Sequence, residues 1–339
     1  MTPAAAKSQT SYRAVYFQQG QARLVERRLE PPDRGEALLR PLWAGICHTD
    51  LELLKGYYQF AGIPGHEFVA RVEQAPGAPE LEGRLVVAEI NLGCGQCPRC
   101  RAGDPRHCPS RRVIGIKGWD GAFAELLKVP RSCLHPLPQG LDPRKAVFTE
   151  PLAAALEITQ QVHLRQEMKA LVLGDGKLGL LTALALRLSC PDLLLAGRHR
   201  AKLAIAAAQG VRTLHAPEPE PLRELAQRKG GFDLVVEATG RPGGLNQALE
   251  LVCPQGTIVA KTTVVEPSPL ELARLVVNEV RLVGSRCGPF PLALQYLARR
   301  CLEVGPLVEQ VYPFDQFQRA LEHASQPGAL KILLRFPER

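Results

Sequence analysis

The stretch beginning at Ala170 most narrows what this chain can fold into. Ala170-Leu171-Val172-Leu173 is a short, solidly apolar run, followed at once by Gly174-Asp175-Gly176-Lys177-Leu178-Gly179 and then by an apolar helical pattern over 180–188. Further short apolar runs recur at 193–196, 233–237 and 257–260, with helical stretches between them. Strands that are apolar on both faces must be covered on both faces, and alternation with helices supplies that cover, so this half reads as a parallel α/β sheet. A helix follows at about 291–304 and a last strand at 331–336.

The glycine pattern G-x-G-x-x-G lies between a strand and a helix. Glycine lets the backbone turn sharply and approach a pyrophosphate, and the helix N-terminus behind it favours negative charge. Gly174, Gly176, Lys177, Leu178 and Gly179 are therefore expected to bind a dinucleotide, with Thr239 beyond the third strand as a further contact. A carboxylate normally ends the second strand when the ribose 2′-hydroxyl is to be held. Here Gly197 occupies that place, followed by Arg198, His199 and Arg200. Loss of the acid and gain of cations favour a 2′-phosphate, hence NADP(H) over NAD(H); arginines on the solvated start of a helix are the plainer alternative.

Up to about residue 151 the chain consists of short β-rich pieces broken by Gly and Pro, such as 68–72 and 84–88, which points to a twisted, barrel-like domain. Four of the ten cysteines crowd into this part as Cys94, Cys97, Cys100 and Cys108. The spacing C-x2-C-x2-C-x7-C lets four thiolates close a tetrahedral shell, which describes a structural zinc site. An iron–sulfur cluster is the main rival, since Pro109 follows Cys108, but the seven-residue gap is longer than the three of that pattern. Disulfides or unligated thiols are the remaining alternatives, and so few cysteines in a chain of 339 residues make no disulfide scaffold.

A second constellation is spread further. Gly45-Ile46-Cys47-His48-Thr49-Asp50 and Gly65-His66-Glu67 bring a thiolate, an imidazole and carboxylates, and Thr149-Glu150-Pro151-Leu152 brings another carboxylate. Singly, each is weak: a lone cysteine is usually a small buried hydrophobe. Together, and in this order with the quartet and the glycine loop, they resemble the medium-chain dehydrogenase/reductase superfamily in its zinc-containing alcohol, polyol and sugar dehydrogenase branches. The resemblance covers nearly the whole chain. It implies a β-rich GroES-like catalytic domain over 1–155 and 287–339, and a Rossmann doubly wound parallel-sheet domain over 156–286. It also implies one catalytic and one structural zinc.

By that resemblance Cys47 and His66 are zinc ligands, and Glu150 takes the third place in the manner of polyol and sugar dehydrogenases. Glu67 is then either a direct ligand or a neighbouring carboxylate that exchanges with zinc-bound water. Asp50 is expected to hold the ring of His66, with a helix N-cap as its plain alternative. The resemblance implies that zinc makes a substrate hydroxyl more acidic so that hydride can pass to the nicotinamide. Thr49 would begin the proton relay, whose usual histidine terminus is replaced here by Glu52. His48 falls where relatives carry a basic residue at the cofactor pyrophosphate, or is simply an exposed histidine.

A formal charge of +8 does not mark a nucleic-acid partner, because the Lys and Arg residues are dispersed; a nucleotide phosphate accounts for the bias equally well. The opening Met1-Thr2-Pro3-Ala4-Ala5-Ala6-Lys7-Ser8 has no secretory pattern, and no apolar run reaches the roughly 20 residues of a membrane span. A cytoplasmic enzyme acting on a small alcohol, polyol, sugar or aldehyde is expected, as a homodimer or homotetramer. The rivals are an NADPH-dependent aldehyde reductase and a non-catalytic nucleotide-sensing or nucleic-acid-binding relative. Lys55-Gly56-Tyr57-Tyr58-Gln59-Phe60 and Trp119 are expected to line the substrate pocket.

Overall fold

The computed structural model describes residues 9–263 and 266–337, so the opening octapeptide lies outside the described residues. The chain divides into two compact units, one of residues 1–150 with 308–339 and one of residues 151–307. No helix among the described residues is long and apolar enough to cross a membrane.

The second unit is built on six strands in the order Arg212–His215, Leu193–Gly197, Ala170–Leu173, Phe232–Glu237, Val252–Ala260, Arg281–Gly284. Every neighbouring pair is parallel. In chain order this is 3-2-1-4-5-6, the doubly wound arrangement of dinucleotide-binding sheets. All residues of Ala170–Leu173 and Leu193–Gly197 are buried, as expected of strands covered on both faces. The order reverses between Ala170–Leu173 and Phe232–Glu237, and sheets of this kind take their ligands beyond the carboxyl ends of the strands at that point. Helix Lys177–Leu186 starts there with Gly176 as its N-cap. The helix expected at 291–304 runs Phe290–Ala298, ended by the left-handed Arg300 (φ 53°).

The first unit holds a seven-stranded sheet along the path Leu134–Pro136, Leu85–Ala88, Glu67–Gln74, Glu36–Ile46, Lys331–Arg335, Val308–Pro313, with Leu127–Pro130 branching from Glu36–Ile46. The long central strand Glu36–Ile46 sets the register. Its Gly45 lies opposite Glu67 on one side and Leu333 on the other. The cysteine-rich loop leaves a three-stranded sheet and returns to it, its two ends pinned where Asn91 pairs Val113 and Leu92 pairs Arg112.

Candidate metal and nucleotide sites

Strand Glu36–Ile46 delivers Cys47 directly to the N-terminus of helix His48–Leu54. Strand Glu67–Gln74, paired alongside, delivers His66 and Glu67 to the same end. One ligand atom each from Cys47, His66 and Glu67 lies within 4.8 Å of the others, a donor set of sulfur, imidazole nitrogen and carboxylate oxygen suited to zinc. Asp50 is the third residue of the helix rather than its N-cap. Its Oδ2 accepts from the Cys47 backbone N at 2.8 Å and its Oδ1 from the Gly65 N at 3.3 Å. It also stands 3.3 Å from His66 Nδ1, too poorly aligned for a hydrogen bond. Asp50 thus ties both ligand-bearing segments together and faces Nδ1, leaving Nε2 as the ring nitrogen for a metal.

Burial alone would lower the pKa of His66, but the charges of Asp50 and Cys47 outweigh it and hold it well above the usual histidine range. A fully buried imidazole that faces a carboxylate through Nδ1 and stands with a thiol and a second carboxylate about its other side fits a metal ligand. Thr49 offers its hydroxyl 3.8 Å from the Cys47 sulfur. His48 is largely exposed and stands 3.5 Å from Glu52. Glu150, half-buried in the first turn of helix Thr149–Gln161, is not among the atoms gathered within 4.8 Å.

Sequence reasoning missed Lys331. This lysine opens the last strand, is 2% exposed, and donates to Glu67 Oε2. Burial lowers its pKa, yet the charges of Glu67 and Cys47 raise it above the usual value, so the ammonium is retained. Gly45 makes room for the pair: a Cβ there would come within 2.5 Å of Glu67 Oε2 and 3.2 Å of Lys331 Cδ.

The four sulfurs of Cys94, Cys97, Cys100 and Cys108 also lie within 4.8 Å of one another. Thiolates held about 2.3 Å from one tetrahedral centre stand roughly 3.8 Å apart, so the cluster suits a single ion. Backbone N–H groups of Cys94 and Cys100 point at the sulfurs of Cys108 and Cys97, each at 3.4 Å. Backbone donors from Gln96 and Cys97 bring the Cys94 thiol down to about 6. Burial and the neighbouring thiols push Cys100 up to about 11, because a second bare thiolate is unfavourable until a cation arrives.

In the second unit, a Cβ at Gly174 would meet the Ala238 carbonyl oxygen at 2.5 Å, and one at Gly179 would meet the Gly174 oxygen at 2.0 Å. Those two glycines serve close packing of loop, helix and strand. Gly176 has open space before it, as a residue facing a phosphate requires. Lys177 and Leu178 open the helix and are half-buried, and Thr239 is turned back on buried Glu237, donating to it at 2.7 Å. Arg198, His199 and Arg200 are exposed. The loop residue Asp175, a second one that the sequence did not single out, reaches His199.

A cleft of about 350 Å³ in the first unit is lined by Tyr58, Gln59, Phe60, Lys117, Trp119 and Asp120 among others. Trp119 uses its indole N–H on the Lys128 carbonyl at 2.9 Å, so it offers the cleft a wall rather than a donor.

Residues 33–139 match the alcohol dehydrogenase GroES-like domain, and residues 144–336 match the glucose dehydrogenase C-terminus. The chain belongs to the zinc-containing medium-chain dehydrogenase/reductase family. Among its relatives in that family, the glucose 1-dehydrogenase of Methanocella arvoryzae is 36% identical over 66% of this chain and 69% of its own length. The D-altritol 5-dehydrogenase of Agrobacterium fabrum is 30% identical over 94% of this chain and 97% of its own. A protein from Sinorhizobium meliloti, assigned as a zinc-binding dehydrogenase and solved with NADP bound, superposes with a TM-score of 0.88 at 27% identity, covering 96% of this chain and all (100%) of that one. The two-part architecture, GroES-like and Rossmann, is thus the family's own.

Proposed function

We propose that this member of the family is a zinc-dependent oxidoreductase that moves a hydride between a hydroxyl-bearing carbon of a polyol or sugar and NADP(H). The observation that carries the reading is the convergence of Cys47, His66 and Glu67 on one point beside a buried Asp50. Cys47 and His66 would hold the catalytic zinc, with Glu150 or Glu67 completing the set, and the cysteine quartet would hold a structural one. When bound, the catalytic ion supplies a Lewis acid that eases loss of a proton from a hydroxyl group.

The chain's own residues do the rest. Asp50 ties the Cys47 and Gly65 segments together and faces the His66 ring with its charge, and Lys331 holds Glu67 in place. Thr49 would accept the substrate's hydroxyl proton as it passes its own onward, and a bound nicotinamide would supply the hydride acceptor. His48 and Glu52, paired at the surface, offer that proton a way out. Polar and aromatic groups of the cleft, Gln59, Lys117 and Asp120 beside Phe60 and Tyr58, suit a ligand with several hydroxyls. The glycine loop receives the pyrophosphate, and Arg198 and Arg200 favour a 2′-phosphate. Names of relatives support the same class, a glucose dehydrogenase and an altritol dehydrogenase. We place the enzyme in the cytoplasm.

A panel of polyols, aldoses, primary alcohols and aldehydes, assayed with both cofactors on zinc-loaded protein, tests this. Turnover of a polyol or sugar with NADP+ is expected. A protein that binds cofactor but turns over no member of the panel would overturn the catalytic reading.

A further inference from the structure

Gly197 ends the second strand of the parallel sheet, where dinucleotide-binding folds commonly place the acid that accepts from the adenosine ribose. The space a side chain would enter there is already filled. A Cβ built on Gly197 would come 2.4 Å from Asp175 Cβ and 2.5 Å from both its Cγ and its Oδ2. Asp175 stands between the first two glycines of the loop and is 6% exposed. Its Oδ2 accepts from the His199 backbone N at 2.6 Å, and both of its oxygens stand 3.1 Å from His199 Nδ1.

We infer that Asp175 supplies, from the glycine loop, the carboxylate that residue 197 lacks, and is a specificity-determining residue for the adenosine 2′ position. The inference rests on the dinucleotide reading of this loop. Two facts make the relocation physical. The main-chain N–H of His199, which no tautomer alters, fixes one oxygen at the end of the second strand. A carboxylate also has about four lone-pair directions, so the contacts from His199 leave acceptor capacity for a ribose hydroxyl. A 2′-phosphate at that place meets the same negative charge. Asp175 therefore works toward NAD(H) while Arg198 and Arg200 work toward NADP(H), and the chain accepts both cofactors with a ratio set by the opposition.

The test is fluorescence titration of the full chain with NADH and with NADPH. Asp175→Asn keeps the shape and an acceptor for the His199 N–H but removes the charge. NADH affinity is expected to fall about tenfold while NADPH affinity holds or rises. If both fall alike, or the ratio stays put, Asp175 only caps the strand and the inference is overturned. Asp175→Gly combined with Gly197→Asp moves the carboxylate back to the strand end, and is expected to bind NADH more tightly than Asp175→Gly alone; no gain would also overturn it. Binding of neither cofactor by the wild type would instead remove the dinucleotide reading, and the inference with it.

Discussion

Lys331 and Glu67 stand 264 residues apart in the chain and form an ion pair that is 2% and 1% exposed. Breaking one side of such a pair leaves a charge buried alone, which typically costs about 3–5 kcal/mol, whereas removing both sides is far milder. Lys331→Met should therefore destabilise the metal-free protein strongly, and Lys331→Met with Glu67→Gln should recover most of the loss. Urea unfolding of the three proteins measures this. Additive losses in the double variant would show that Lys331 packs by its stem and not by its charge.

Metal content separates the two zinc positions. Purified protein is expected to carry about two zinc ions per chain, one resistant to chelators within a closed sulfur shell and one removable with loss of turnover. Cys47→Ala should retain one. Iron with labile sulfide, or a single zinc that survives this substitution, would contradict the assignment.

The third ligand is decided by a pair of variants. Glu150→Ala should weaken the exchangeable zinc, while Glu67→Ala should lower turnover more than zinc content if Glu67 stays with Lys331 rather than on the metal. Complete zinc loss from Glu67→Ala, with Glu150→Ala unaffected, would make Glu67 the ligand, as its place within 4.8 Å of Cys47 and His66 allows.

The thiols differ enough to be told apart by alkylation. Cys94 is exposed and brought down to about 6 by backbone donors, so at pH 7 to 8 its thiolate predominates in metal-free protein. Burial, with help from Glu89, pushes Cys133 up to about 12, so it stays protonated over the same range. Iodoacetamide should label Cys94 early and Cys133 last, and zinc should protect Cys94. Mass spectrometry reads the order; rapid labelling of Cys94 in the zinc-loaded protein would argue that the quartet holds no ion.

The parallel sheet was legible because its signal is local: Ala170–Leu173 is apolar throughout, and the glycine loop follows at once. The strand expected at 257–260 runs instead from Val252 to Ala260, because Pro254 and Gly256 read as turn signals while a register shift absorbs them. Lys331 and Asp175 escaped for a different reason. A lysine at the head of a strand ordinarily points to water, and only the register that sets Gly45 between Glu67 and Leu333 reveals a carboxylate waiting for it. Asp175 stood at a position that the glycine pattern leaves free, and its contact with His199 depends on how the first strand lies beside the second.

Arg198 offers the sharpest test of cofactor choice. It is exposed at the start of the segment that follows Gly197. A charge-assisted bond from arginine to a phosphate contributes about 1.5–3 kcal/mol, which is roughly tenfold to a hundredfold in affinity. Arg198→Ala should therefore weaken NADPH by that factor and leave NADH nearly unchanged, since NADH carries no charge at the 2′ position. Gly197→Asp, the substitution that absence of the acid invites, should fail as a single change because its Cβ collides with Asp175. Loss of both cofactors, or of folded protein, is expected from it. Nicotinamide fluorescence with the two reduced cofactors reads both variants. Should Arg198→Ala weaken NADPH and NADH alike, or neither, the basic segment is solvated surface and the NADP(H) preference fails.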